Sequence, residues 1–151
     1  MPNVIIDRVT VFARIHFGVP ICLVNLIEAD QALVASKQGL DASRLDRRIA
    51  FCSYTILQPS VLVVPDARAD ERFKDNPVVT GEPCIRFYAG APLVYDGEVR
   101  LGPLCLLDTK PRSFSRGEQA ELQMLADQVI GVIVSRMLGL PEPDISAALS
   151  I

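Results

Sequence analysis

The sequence predicts an α+β fold, with a mostly antiparallel central sheet of five to six strands between an N-terminal and a C-terminal helix. Three observations predict it. Two apolar, strand-like runs, 85–95 and 98–107, flank the dipeptide Asp96-Gly97. Asp-Gly between apolar runs marks a two-residue hairpin turn, because such a turn needs the positive φ that these residues tolerate. The strand-like segments are grouped between terminal helical segments without regular strand–helix–strand alternation, which argues against a parallel sheet.

Each element has its own warrant. Ile5, Val9, Phe12 and Ile15 recur at close to helical spacing, and Val4, Val11 and Ala13 widen the stripe. The spacing predicts a helix over 4–17 with Gly18 as its stop. Residues 20–28 are apolar and β-favouring, so they read as a buried strand. Ala29-Asp30 reads as a turn, and 31–37 as a more polar strand nearer the sheet edge. Residues 38–45 read as a connecting loop. Asp46 is the expected cap of a helix from 47 to about 58, which Pro59-Ser60 ends. Residues 61–64 form a short strand.

The segment 66–84 is rich in Asp, Asn, Pro and Gly and reads as a loop. Asp66 is placed to cap a turn at 67–69, and one helical turn is expected at 70–74. After the hairpin, Ser115 followed three residues later by Glu118 is a capping box. It opens a helix running to about Leu138, ended by Pro141 and Pro143. The expected organisation is one domain over 1–140 and a loose tail over 141–151. The terminal helices would cover one face of the sheet; the middle helix and the 66–84 loop would cover the other.

Composition narrows the function. Lys and Arg number 15 against 18 Asp and Glu, a formal charge of −3. This is not the basic footprint of a nucleic-acid binder. No apolar run is long enough to span a bilayer, and the N-terminus lacks the pattern of a secretory signal, so cytoplasmic residence is expected. Cys22, Cys52, Cys84 and Cys105 show no C-x-x-C spacing and read as reduced thiols. Asp66, Asp70 and Asp75 do not match a Ca²⁺ loop, so no metal is expected.

Arg86 stands out as a charge inside an apolar strand. Period-two alternation puts Arg86, Tyr88 and Gly90 on one face and Ile85, Phe87, Ala89 and Ala91 on the other. A guanidinium there can grip a carboxylate or phosphate, and Gly90 allows close approach. The alternative is an internal ion pair of Arg86 with Asp66 or Asp70. In the last helix, Leu122, Leu125, Val129 and Val132 form one seam. Met124, Ile130, Ile133, Val134 and Met137 extend the apolar surface around it. That surplus points either to the first helix within one chain or to a homodimer through Ile5, Val9, Phe12 and the 115–138 helix.

Several short motifs run in a fixed order: Phe51-Cys52, Val64-Pro65-Asp66-Ala67, Arg72-Phe73, Asn76-Pro77 and Gly81. They continue with Arg86-Phe87-Tyr88-Ala89-Gly90-Ala91-Pro92-Leu93, Gly102, Leu104-Cys105, Asp108 and Pro111-Arg112. Together, over about 2–138, they resemble the GAF domain, a sensor module of bacterial signalling proteins. The resemblance implies a GAF-like (profilin-like) sheet with a ligand pocket on the face away from the terminal helices. It implies a non-enzymatic, small-molecule-binding regulatory domain, the sensory module of a two-component histidine kinase or of a cyclic di-GMP signalling protein.

The pocket candidates are Phe51, Cys52, Tyr54, Asp66, Phe73, Arg86, Tyr88 and Cys105. Arg86 would be the anionic anchor, Tyr88 and Phe73 the walls, and the 66–84 loop a lid. Bilin-binding relatives pair a Cys with a His; here His16 is the sole histidine and has no Cys beside it, so neither bilin nor haem is expected. The Asn-Lys…Phe…Asp-Glu pattern of cyclic-nucleotide-binding members is not intact. Two alternatives remain. One is a GAF-type reductase of free methionine sulfoxide using Cys52 and Cys84, for which only Asp108 matches the acidic groups. The other is a dimerisation module with an empty pocket.

Overall fold

The computed structural model describes residues 4–27, 31–39, 44–46, 51–57, 60–95, 99–141 and 143–150; for 31–33, 44–46, 52 and 53 it describes the backbone alone. The elements are α1 (Val4–Phe17), β1 (Ile21–Ile27), β2 (Gln31–Gln38), β3 (Arg44–Asp46), α2 (Cys52–Thr55), β4 (Leu62–Val64), α3 (Pro77–Thr80), β5 (Phe87–Tyr95), β6 (Val99–Asp108) and α4 (Arg116–Met137). Six strands form one sheet in the order β3-β2-β1-β6-β5-β4, and every neighbouring pair is antiparallel. Among the described residues no helix is long and apolar enough to cross a membrane.

The β5–β6 hairpin pairs as expected, from Phe87 opposite Asp108 to Tyr95 opposite Val99. The Asp96-Gly97 turn itself, like Ala29-Asp30, lies outside the described residues. Both faces of the sheet are covered. Cys22, Val24, Phe87, Ala89, Ala91, Leu93, Leu104 and Leu106 pack with the buried sides of α1 and α4 in the main core. The alternate residues Ile21, Leu23, Tyr88, Cys105 and Leu107 meet Phe51, Ala67, Phe73 and Val79 in a second cluster. Strands buried on both sides read as continuous apolar runs, as β1 and β6 do.

The N-terminal helix has its expected span, but its buried side is rotated from the predicted stripe. Ile6, Val9, Thr10, Ala13 and Phe17 face inward, whereas Ile15 is 76% exposed. Thr10 tolerates burial because its hydroxyl lies 2.9 Å from that of Ser36 and donates to the carbonyl of Asp7. Arg112 closes the other end of α1, donating to the carbonyl of Phe17 at 3.1 Å. The capping box on α4 forms as predicted: Ser115 Oγ accepts from the N–H of Glu118, and the Glu118 carboxylate accepts from the N–H of Ser115.

Three expectations are corrected. Residues 44–46 form a strand inside the presumed loop, and Asp46, the expected helix cap, pairs with Gln31. The middle helix is a single turn, Cys52–Thr55; residues 47–50, where the longer helix was placed, lie outside the described residues. The tail is anchored: Ile145 is 2% exposed and belongs to the main core.

Among the described glycines, Gly102 leaves the least room for a side chain. Its φ is +155°, and a Cβ there would collide with the backbone carbonyl of Asn25. A side chain is strained at that φ, and the neighbouring strand cannot retreat without losing its pairing. Gly102→Ala is therefore expected to destabilise the fold by more than ~1 kcal/mol, read as a lower urea midpoint; an unchanged midpoint would show that β1 and β6 can part there at no cost.

Candidate functional site

The second apolar cluster is roofed by α2, α3 and the loop between β4 and β5. Four rings meet in three edge-to-face pairs within it. Phe51 and Phe73 centroids are 4.4 Å apart, Phe51 and Tyr88 5.0 Å, and Tyr54 and Phe73 4.9 Å. Edge-to-face packing is favoured by the ring quadrupoles. Phe51, Phe73 and Tyr88 are buried, while Tyr54 is 38% exposed and forms the outer end of the row. Four of the sequence-predicted residues are thus brought together around one aromatic centre. Cys105 lies below them on β6, opposite Gly90, in the same cluster as Tyr88. Cys52 begins α2; its side chain lies outside the described residues.

The hydroxyls of Tyr88 and Thr55 are 2.6 Å apart. They sit directly over Gly90, where a Cβ would strike both oxygens. Gly90 was expected to make room for a ligand or backbone; the room is taken by this buried hydroxyl pair, which pins α2 to the sheet. Arg100 adds a second tie, donating from Nη1 to the carbonyl of Ile56 at 2.7 Å. Sequence reasoning missed Thr55 and Arg100, because neither position carries a pattern of its own.

Arg86 does not follow the period-two alternation expected of it. Strand pairing of β5 starts at Phe87, Cys84 has a φ of +61°, and alternation does not extend back through 84–86. Ile85 consequently packs in the loop-side cluster with Tyr88 and not with the terminal helices. Arg86 Nη1 donates to the carbonyls of Val79 at 2.8 Å and Ile85 at 3.2 Å. In this structure it is a strut between the start of β5 and α3. The proposed pairs with Asp66 and Asp70 do not form either. Each aspartate is taken by the arginine two residues on: Asp66 by Arg68 at 3.1 Å and Asp70 by Arg72 at 2.8 Å, both through two guanidinium nitrogens.

These hydrogen bonds hold both carboxyls below the usual aspartate range, with the side-chain bond to Arg68 or Arg72 as the main cause and, for Asp66, a smaller contribution from the charge of Arg86. Asp66 also caps the turn at Ala67–Ala69, as the sequence predicts, and Asn76 caps α3 by accepting from the N–H of Val78. The loop is built by local side-chain bonds. Arg72 further lies over the ring of Phe73, 5.1 Å from its centroid.

Cys22 and Cys105 are buried thiols and Cys84 is a half-buried one. Burial pushes the Cys22 thiol far above the ordinary range, which makes it a poor nucleophile. His16 lies on the opposite side of the sheet from the aromatic cluster, on α1, stacked on Phe12 and 3.3 Å from Glu121 of α4.

Comparison with known proteins agrees with this geometry. Residues 2–133 match the GAF domain family. A cyclic di-GMP phosphodiesterase of Pseudomonas aeruginosa is 42% identical over 108 residues, which make up 72% of this chain but 18% of that protein's length. The GAF domain of a phosphoenolpyruvate-protein phosphotransferase from Coxiella burnetii is similar with a TM-score of 0.73 and 20% identity, covering 89% of this chain and 83% of that one. A type II free methionine-R-sulfoxide reductase from Thermoplasma acidophilum gives 0.69 and 16%, covering 86% and 89%. The two structural likenesses show the fold. The chain belongs to the GAF domain family.

The Tyr88–Thr55 pair has a measurable weight. Tyr88→Phe removes a buried hydroxyl and strips Thr55 of that partner, so a loss of roughly 1–3 kcal/mol is expected, with faster amide exchange in α2. Unchanged stability and exchange would mean that α2 is held by its apolar contacts and the Arg100 bond without help from this pair.

Proposed function

As a member of the GAF family, this chain is, we propose, a non-catalytic regulatory domain that binds a small molecule and works within cyclic di-GMP signalling. The observation that carries the reading is the 42% identity to a cyclic di-GMP phosphodiesterase. The phosphodiesterase activity is that protein's own. What the likeness supports for this chain is a place beside such an output, which favours cyclic di-GMP signalling over a histidine kinase.

The ligand site we propose is the aromatic cluster over β5 and β6. Phe51, Phe73 and Tyr88 serve as walls, Cys105 as floor, and Tyr54 and Cys52 lie on the α2 side. Asp66 and Arg86 support the lid through the loop and α3. A ligand can regulate only by binding two conformations with different affinity. The α2–α3 roof, held by the Tyr88–Thr55 bond and the Arg86–Val79 bond, is the element whose two positions would differ.

Replacing the matched segment of the Pseudomonas phosphodiesterase by residues 2–133 tests the reading. The chimera is expected to hydrolyse cyclic di-GMP at a rate that changes severalfold when a metabolite extract is added, with the change lost in Tyr88→Ala. A chimera whose rate is indifferent to the extract, together with no ligand retained by the isolated chain in native mass spectrometry, would sink it.

We further propose a homodimer through α1 and α4. Val9 is fully buried within its own chain, and Ile5 and Phe12 pack half-buried against the main core, so the free surface differs from the predicted one. It consists of Val4, Val11 and Ile15 along one side of α1, with Met137 and Leu138 at the end of α4. Ile15→Glu is expected to turn a dimer into a monomer in light scattering; a wild-type chain that stays monomeric at every concentration removes the proposal.

A further inference from the structure

Asn25 is a polar side chain in the apolar strand Ile21–Ile27, and it is 2% exposed. It lies on the loop side of β1, the side of Ile21 and Leu23. Its Nδ2 reaches Cys105 Sγ at 3.9 Å, the outer limit of a weak bond to sulfur. Its Oδ1 is buried with no hydrogen-bond partner among the described residues. Reversing the amide would only exchange the two ends, so either assignment leaves one of them open. A buried polar atom without a partner costs stability, and a leucine here would suit the neighbours better.

The local backbone is shaped around this residue. The register against β2 shifts between Val24 and Asn25, and Gly102 of β6 closes against its backbone carbonyl. Irregularities of this kind re-aim side chains beside functional sites. Next to Asn25 across the sheet come Cys105 on β6, then Gly90 on β5 under the hydroxyls of Tyr88 and Thr55. A carboxamide, a thiol and two hydroxyls therefore form a polar line across three strands, beside the rings of Phe51 and Tyr88. Every group in the line is uncharged, and Arg86 is engaged with the carbonyl of Val79.

We infer that this line selects an uncharged ligand bearing an N–H or O–H donor, and that Asn25 Oδ1 accepts that donor. The inference rests on the sensor reading above and names the ligand chemistry of the same site. A charge buried against neutral groups would lack a counter-ion, which is costly. A donor meets an acceptor that otherwise stays unsatisfied. A site built to bond such a donor discriminates strongly against the analogue without it.

The test uses the whole chain and three sets of probes followed by ligand-observed NMR. The first set is 2-pyridone and δ-valerolactam, the second their N-methyl forms, and the third benzoate and phenyl phosphate. The N–H rings are expected to bind, to weaken at least ~10-fold on N-methylation, and to weaken equally in Asn25→Leu. The melting temperature of Asn25→Leu is expected to match or exceed that of the wild type, which a purely structural asparagine would not allow. Asn25→Val serves if the leucine variant fails to fold, and the wild-type comparison of N–H with N-methyl rings needs no variant.

Equal binding of N-methyl rings, preference for the anions, indifference to Asn25→Leu, or a lowered melting temperature each overturns the inference. So does the absence of binding by every probe. If native mass spectrometry still finds a ligand retained by both wild type and Asn25→Leu, the inference falls and the sensor reading stands. If it finds none and the chimera's rate is also indifferent to the extract, both fall.

Discussion

Burial of the β5–β6 ribbon on both faces is the constraint on which the remaining structure depends. A strand covered on both sides has no solvent to receive a polar side chain, so each must find a partner inside the protein. The helical side solves this with residues that need no partner: Phe87, Ala89, Ala91, Leu93, Leu104 and Leu106. The loop side contains Tyr88, whose ring packs on Phe51 and whose hydroxyl meets Thr55. The position of α2 follows from that bond and from the bare backbone of Gly90 beneath it.

The same constraint explains why Arg86 is not where period-two alternation puts it. A guanidinium placed on the sheet face would face Phe51, Phe73 and Leu107 with no anion to meet it. The chain leaves strand geometry just before the ribbon: the N–H of Ile85 donates to the carbonyl of Val78, and that of Ala67 to the carbonyl of Arg86. The side chain is thereby turned to the carbonyls of Val79 and Ile85. Carbonyl oxygens satisfy a cation without the cost of burying an anion as well. Asp66 and Asp70 stay at the loop surface, where each has a neighbouring arginine in reach.

Much of the fold was legible because its signals are local. The capping box of Ser115 and Glu118, the stop at Gly18, the turn capped by Asp66 and the two apolar runs of the hairpin each announce themselves within a few residues. What could not be read depends on distant partners. Residues 44–46 become a strand because β2 offers an edge, not because Arg-Leu-Asp favours one. Thr10 is buried while Ile15 is exposed because Ser36 waits opposite the former. Of the site, the aromatic residues Phe51, Phe73 and Tyr88 were identified correctly as neighbours. The carboxamide of Asn25 was passed over, although one polar residue inside an apolar strand is a signal that the sequence displays.

The ribbon also limits how the two sides can communicate. Tyr88 and Gly90 touch the α2 side, and Phe87, Ala89, Ala91 and Leu93 touch α4, yet all belong to one continuous backbone. A side chain on one face cannot shift along the strand without carrying its neighbours on the other. Close packing makes such a layer respond by switching between discrete arrangements, not by yielding gradually. Separation of the Tyr88 and Thr55 hydroxyls by a ligand would free α2 and move Tyr88 against a backbone that α4 grips from behind. The terminal helices are then coupled to the loop-side cluster by two adjacent strands and need no longer route through the protein. That short path requires small, uncharged residues at 89–91, where a larger side chain would wedge the sheet from its own helices, and Ala-Gly-Ala is what the sequence places there.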